Sequence, residues 1–176
     1  MTSNVVIRYK MVLFGNAGVG KTSLVERFIN NKFRENYITT LGYNVYEKQI
    51  PYENNVLSLM IYDIGGQEKF RDLRKKYAEG ASVAFIIYDI TDVNSFEMIS
   101  NWKNDLEAFT NTISFMLIGN KMDLEEDRAV STEDGAKNSS EIGAMGFLET
   151  SAKSGKGVEQ AFHKLAIKAY ELYAKQ

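Results

Sequence analysis

Nine consecutive residues, Gly15, Asn16, Ala17, Gly18, Val19, Gly20, Lys21, Thr22 and Ser23, carry the strongest chemical signal in the chain. The stretch from Gly15 to Thr22 fits the pattern G-x-x-x-x-G-K-S/T. It follows an apolar run, Met11 to Phe14, and opens a helical pattern in which Leu24, Val25, Phe28 and Ile29 share one face. Glycines in such a loop let the backbone close on phosphate oxygens. Successive amide N–H groups then point at those oxygens, and the helix start adds partial positive charge. Lys21 supplies a full charge for the outer phosphates, and the Thr22 hydroxyl can ligate Mg²⁺. A nucleoside triphosphate is the ligand such a loop calls for. The loop does not choose the base, since ATPases and kinases share it.

The base is addressed further along the chain. Asn120, Lys121, Met122 and Asp123 come directly after the apolar run Phe115 to Ile118, at the carboxyl end of an expected strand, where open α/β sheets bind ligands. Here the chain resembles the small GTPases of the Ras superfamily, whose N-K-x-D motif reads guanine. A carboxylate at Asp123 can accept hydrogen bonds from the ring N1–H and the 2-amino group of guanine, and adenine offers neither donor. An unpaired buried acceptor costs about 1–3 kcal/mol, so one aspartate can reject adenine.

The same resemblance assigns the other motifs. Thr150-Ser151-Ala152-Lys153 is similar to the family's S-A-K loop, in which the alanine N–H meets the guanine carbonyl and the lysine lines the base pocket. Asp63, Gly66 and Gln67 resemble the second switch segment. Asp63 is then expected to reach Mg²⁺ through water, the Gly66 amide to meet the γ-phosphate, and Gln67 to orient the attacking water. Phe33 to Gly42 is similar to the first switch, with Phe33 against the guanine, Tyr37 over the phosphates and Thr40 on Mg²⁺ and the γ-phosphate. The neighbouring Thr39 competes for that last role, and Leu41-Gly42 after Thr40 favours Thr40. By this match Lys21, Thr40, Gly66 and Gln67 carry the chemistry, and Thr22, Thr40 and Asp63 hold the metal. A loose phosphoryl-transfer transition state needs fixed dipoles and metal more than a strong base, and a glutamine and an amide suit that need. A GTP-binding scaffold with negligible hydrolysis, and a P-loop ATPase or kinase, are the competing readings.

These residues need a scaffold that brings distant loops to one edge. Short β-branched runs, Met11 to Phe14, Val56 to Tyr62, Val83 to Tyr88 and Phe115 to Ile118, alternate with helical patterns, as an α/β sheet with mostly parallel strands requires. Their apolar character at nearly every position points to helices on both faces. Phe96, Ile99, Trp102, Leu106 and Phe109 mark one helix, and Val158, Phe162, Leu165, Ala169 and Leu172 mark the last. Only Pro51 to Asn55 separates the runs Tyr43 to Ile50 and Val56 to Tyr62, which predicts a hairpin and one antiparallel edge strand. The resemblance implies a three-layer P-loop NTPase fold with a six-stranded sheet.

Composition agrees. The 176 residues suit a single domain. A formal net charge of −2 gives no long-range pull toward nucleic acid. The absence of cysteine removes disulfides, thiolate metal sites, catalytic thiols and, for this chain, prenylation and palmitoylation. The expectation is a cytoplasmic monomer that meets effectors, an exchange factor and a GTPase-activating protein through its switch loops. Membrane attachment would require a lipidated tail outside this chain.

Within the superfamily, Lys69-Phe70-Arg71, the phrase from Tyr88 to Asp92, and Ser95-Phe96 ahead of Trp102 resemble Rab and Ras members. Thr40 to Val45 and the pair Gly65-Gly66 look closer to Arf proteins, but the long interval from Thr40 to Asp63 favours a Rab-like reading. Ala17 stands where Ras has glycine, so its methyl group can crowd an arginine arriving from a Ras-type activating protein. Arg71, Arg74, Lys75 and Lys76 are read as a solvated helix face, in preference to a partner surface or an arginine placed near the phosphate, His163 as a surface residue and Trp102 as a core anchor.

Overall fold

The computed structural model describes residues 5–36, 38–111 and 113–174. The elements run β1 (Val5–Phe14), α1 (Lys21–Asn30), β2 (Tyr43–Tyr52), β3 (Asn55–Ile64), α2 (Arg71–Ala78), β4 (Val83–Asp89), α3 (Val93–Glu97), α4 (Ile99–Thr110), β5 (Ser114–Asn120), α5 (Thr132–Glu141), β6 (Phe147–Glu149) and α6 (Val158–Tyr173). Short 3₁₀ turns cover Glu68–Phe70 and Met122–Asp127. The strands form one six-stranded sheet in the order β2-β3-β1-β4-β5-β6. Only β2 runs antiparallel, and every other pairing is parallel.

The near-continuous apolar strands are explained by two cores, one on each face. Met11 and Leu13 of β1, Val83, Phe85 and Ile87 of β4, and Met116 and Ile118 of β5 face α1 and α6. The alternate residues Val12 and Phe14, Ala84, Ile86 and Tyr88, and Phe115 and Leu117 face α2 and α4. Phe162 of α6 stacks on Phe28 of α1 with ring centroids 4.2 Å apart and meets Phe85 edge-on at 5.0 Å. Trp102 is a core residue, as expected, packed edge-on to Phe14. His163 is half-buried at the edge of the Phe28 ring and 3.6 Å from Glu159.

Several boundaries differ from the sequence reading, each for a physical reason. β1 starts at Val5 and not Met11, because its first half pairs along β3 (Val5↔Asn55 to Lys10↔Met60) before β4 joins at Met11. The hairpin turn shrinks from Pro51–Asn55 to Glu53 and Asn54, with Glu53 at φ 52. Pro51 stays within β2 because β2 is an edge strand, where a missing N–H is tolerated. The single helix expected around Trp102 is divided at Met98 into α3 and α4, and Asp92 caps α3 by accepting the Asn94 N–H. α5 lacked an apolar stripe to betray it. Its sheet side is made of Gly135 and Ser139, and Gly135 leaves room for the buried Tyr88 ring. The legible signal was Ser131, whose side chain accepts the Asp134 N–H as an N-cap.

This topology gathers the motifs. The loops after β1, β3, β4, β5 and β6 all open at the carboxyl edge of the parallel strands, and β1 lies between two strands reached by connections on opposite sides. Phe162→Ala, which empties the centre of the α1–α6 core, is expected to cost about 3–5 kcal/mol of folding stability. Thermal unfolding followed by circular dichroism, with nucleotide concentration held constant, measures it.

Candidate functional site

The loop after β1 closes on α1 through Gly20, which is left-handed (φ 99) and offers no side-chain cap, so the first amides of α1 stay free for a ligand. A side chain at Gly20 would collide with Asn120. Lys21 begins α1 and is 7% exposed; its Nζ donates to the carbonyls of Gly15 (2.6 Å) and Asn16 (2.8 Å). Burial pushes its pKa down to about 8, opposed by Asp63 and assisted by Arg74. An anion arriving here relieves that penalty. Ala17, Gly18, Gly20, Lys21, Thr22 and Ser23 line a cleft of about 340 Å³, whose opposite wall includes Thr39, Thr40, Gly65 and Gly66.

Three side-chain oxygens from three segments of the chain meet beside it. Thr22 Oγ1 donates to Asp63 Oδ2 at 2.6 Å and lies 2.6 Å from Thr40 Oγ1. With the Thr22 proton on Asp63, the Thr40 hydroxyl donates to Thr22. Of the adjacent threonines, Thr40 is therefore the one whose hydroxyl joins this cluster. Asp63 is fully buried, and its Oδ1 has no partner among the described residues. Burial raises the Asp63 pKa, while the Thr22 hydrogen bond and the Lys21 charge lower it. A buried carboxylate oxygen without a donor calls for a cation or water. The hydroxyl and carboxylate donors suit a hard cation. No group of three or more His, Cys, Asp or Glu that could hold a metal ion exists among the described residues, so the donors gathered here are two hydroxyls and one carboxylate. That arrangement fits Mg²⁺, which keeps several waters and takes few carboxylates.

The double glycine is a packing requirement. A methyl group at Gly65 would sit 2.7 Å from the Thr40 carbonyl oxygen, and one at Gly66 would sit 2.5 Å from the Gly15 carbonyl oxygen and 2.7 Å from the Ala17 nitrogen. The Gly65 N–H donates to the Gly42 carbonyl at 3.0 Å, which ties the segment holding Thr40 to the one holding Gln67.

Arg74 corrects the sequence reading. Arg71, Lys75 and Lys76 are exposed as expected, but Arg74 is 1% exposed because it shares the inward face of α2 with Ala78. Its Nη1 donates to the carbonyls of Gly65 (2.9 Å) and Gln67 (2.7 Å), and its guanidinium lies 4.9 Å from the Trp102 ring. Trp102, read only as a core anchor, also donates its indole N–H to Asn16 Oδ1 at 2.7 Å. The Gln67 segment is thereby joined to the phosphate loop. Spacing gave no sign of either contact.

At the end of β5, Asn120 is buried and both ends of its amide are committed to protein: Nδ2 donates to the Val19 carbonyl (2.9 Å), and Oδ1 accepts from the Thr150 hydroxyl (3.0 Å). It braces three loops. Ser151 Oγ donates to Asp123 Oδ1 at 2.7 Å and so aims the carboxylate. Lys121 is left-handed (φ 71), and its ammonium lies 2.8 Å from Asp89 Oδ2 at the end of β4, a partner the sequence reading missed. Arg128, also missed, forks onto Glu125 and Glu149 and ties the turn after Asp123 to β6. Ala152 is buried and Lys153 pairs loosely with Glu35 at 3.6 Å. Phe33 packs against the core cluster that contains Ala152 and Phe28. Tyr37 lies outside the described residues.

Arg74→Met should release the Gly65 and Gln67 carbonyls, costing about 1–3 kcal/mol. Hydrogen exchange over residues 65–70 should accelerate, while exchange in β4 stays unchanged.

Comparison with known proteins agrees with this geometry. The chain is 38% identical over 159 residues to the Ras-related protein RIC1 of Oryza sativa subsp. japonica, spanning 90% of this chain and 78% of that protein. The model of the Ras family matches residues 10–171, and the chain therefore belongs to the Ras family.

Proposed function

We propose that the chain is a GTP-dependent switch that hydrolyses GTP slowly to GDP and phosphate. The observation that carries this reading is the meeting of Thr22, Thr40 and Asp63 within hydrogen-bond distance beside the buried Lys21 ammonium. Three segments far apart in sequence have no reason to pool hydroxyls and a starved carboxylate there unless a charged ligand completes them. The proposed ligand is the triphosphate tail with Mg²⁺, held by Thr22 and Thr40 and, through water, by Asp63. When bound, Mg²⁺ supplies positive charge to the phosphate oxygens.

In the proposed reaction a water oxygen bonds to the γ-phosphorus, and the bond from that phosphorus to the β–γ bridging oxygen breaks. GDP leaves with the bridging oxygen, one proton of the water stays on its oxygen in the inorganic phosphate, and the other passes to a phosphate oxygen of the products. Gln67 orients the water, Lys21 neutralises charge on the outer phosphates, and the Gly66 amide donates to the γ-phosphate. Gly66 packs so near the loop after β1 that an added Cβ would lie 2.5 Å from the Gly15 carbonyl oxygen, which supports a role for its amide there. Asp123, aimed by Ser151, reads the guanine; Lys121, Ala152 and Lys153 frame it, Phe33 flanks it and Tyr37 covers the phosphates.

Loss of the γ-phosphate removes the contacts that hold the segments around Thr40 and Gly66, and the two relax together through the Gly42–Gly65 link. That difference is what protein effectors would sense. An exchange factor and an activating protein act on the same loops, the domain works as a monomer in the cytoplasm, and its kinship is Rab-like. Ile38 and Leu41 are strongly exposed beside Thr40 and suit a partner surface.

Gln67→Leu is expected to slow single-turnover hydrolysis by at least about tenfold, since a misplaced nucleophile can cost on the order of 10²-fold. Affinity for GTP should change little, and phosphate release equal to wild type would deny Gln67 its role. Asp123→Asn should transfer preference from guanosine to xanthosine nucleotides in competition binding. Unaltered selectivity there would mean that the carboxylate does not read the ring.

A further inference from the structure

We infer that Arg27 of α1 is a positioning residue that clamps the base-reading loop to the phosphate-gripping helix and thereby sets how long a guanine nucleotide stays bound. This rests on the function proposed above. The loop concerned runs from Ser151 to Lys156. It is folded by its own backbone bonds, from Gly155 N to Ser151 O (2.8 Å) and from Ser151 N to Lys156 O (2.9 Å). Those bonds leave the carbonyls of Ala152 and Lys153 to be satisfied from outside.

Arg27 supplies both donors. Its Nε donates to the Ala152 carbonyl at 2.8 Å and its Nη2 to the Lys153 carbonyl at 2.6 Å, two adjacent nitrogens of one planar fork on two successive carbonyls. Among the described residues these carbonyls receive no other hydrogen bond. The fork is itself held, because Nη1 donates to Asn31 Oδ1 at 3.0 Å, and Asn31 is the left-handed residue that closes α1. The arginine stem lies along Gly155, where a Cβ would come 3.6 Å from its Cδ. Gly155 has φ +86, so glycine serves both the turn and the passage of the stem.

The consequence is mechanical. α1 carries Lys21 and Thr22 at its start and Arg27 in its last turn, so a single rigid element spans both ends of the proposed nucleotide. With the fork in place, the Ala152 N–H and the Ser151 hydroxyl that aims Asp123 hold a fixed distance from Lys21. Without it, the loop keeps its fold but loses its register against the helix. A lysine cannot replace the fork, since one ammonium cannot serve two carbonyls in its plane.

The test measures release of a fluorescent GDP analogue, chased with excess GDP at constant Mg²⁺, for wild type, Arg27→Ala, Arg27→Lys and Asn31→Gly. Both Arg27 variants should release about tenfold faster, the change expected when a charged donor-to-carbonyl hydrogen bond is lost. Asn31→Gly keeps the left-handed position and frees only the fork, so its release should lie between. The preference for GDP over ADP should narrow in Arg27→Lys, and hydrogen exchange should rise over residues 151–156 while residues 21–30 stay protected. Release and base preference in Arg27→Lys equal to wild type would overturn the inference. Equal weakening toward GDP and ADP with exchange raised throughout α1 would also overturn it, because that is the signature of plain support for the helix. Should Arg27→Ala fail to fold, Arg27→Lys and Asn31→Gly decide. A wild-type protein that bound no GDP would instead refute the underlying function.

Discussion

Lys21 and Asp63 are both buried at the carboxyl edge of the sheet, one stripped of water until its pKa falls and the other keeping an oxygen without a donor. Each leaves the other only partly compensated. Folding has placed a carboxylate oxygen without a donor near an ammonium whose charged form burial disfavours, and a charged ligand bound there would offset part of that cost. The topology around it serves this constraint: β1 delivers Lys21, the adjoining β3 delivers Asp63, and the chain between them loops out to return Thr40.

Holding such a cluster open requires rigid surroundings, and the structure supplies them with polar side chains that grip backbone carbonyls. Asn120 holds the Val19 carbonyl, Arg74 holds those of Gly65 and Gln67, and Arg27 holds those of Ala152 and Lys153. Asn120 and Arg27 join segments that follow different strands, and Arg74 braces the one connection that follows β3. Loops at a sheet edge lack ladder partners, so their carbonyls are the free acceptors that a side-chain donor can use. Arg74 also packs against Trp102, whose indole N–H reaches Asn16, so the Gln67 segment is tied to the same loop that surrounds Lys21.

The region around Thr40 is held more lightly. Among the described residues its hydrogen bonds to other segments are those of the Thr40 hydroxyl with Thr22 and of the Gly42 carbonyl with Gly65, while Ile38 and Leu41 are exposed. A segment with few internal contacts can change arrangement when one ligand contact is lost, and a rigid base pocket can keep the remaining nucleotide in place meanwhile. The proposed switch depends on this contrast between a firmly clamped half and a loosely held half.

How much of this was legible before folding follows from the range of the forces involved. The phosphate loop, the alternation of strands and helices, the hairpin and the order of the motifs could be read because each is encoded within a few residues, by glycine, periodicity or turn chemistry. α5 escaped because Gly135 and Ser139 carry no apolar stripe, and β1 began earlier than its apolar run because pairing with β3 lengthened it. Arg74 read as solvated because a local charge run cannot reveal a tryptophan nearly thirty positions away. By itself, then, the sequence determined the family and the fold class, and it named the side chains that the proposed function assigns to a triphosphate and a purine. Tertiary structure alone decided that the Thr40 hydroxyl, already favoured over Thr39 by the sequence, meets that of Thr22, that Asn120 spends its amide on bracing, and that Arg27, Arg74 and Trp102 hold the surrounding loops in register. Those are long-range contacts between carbonyls and forks whose partners become neighbours only when the strands align.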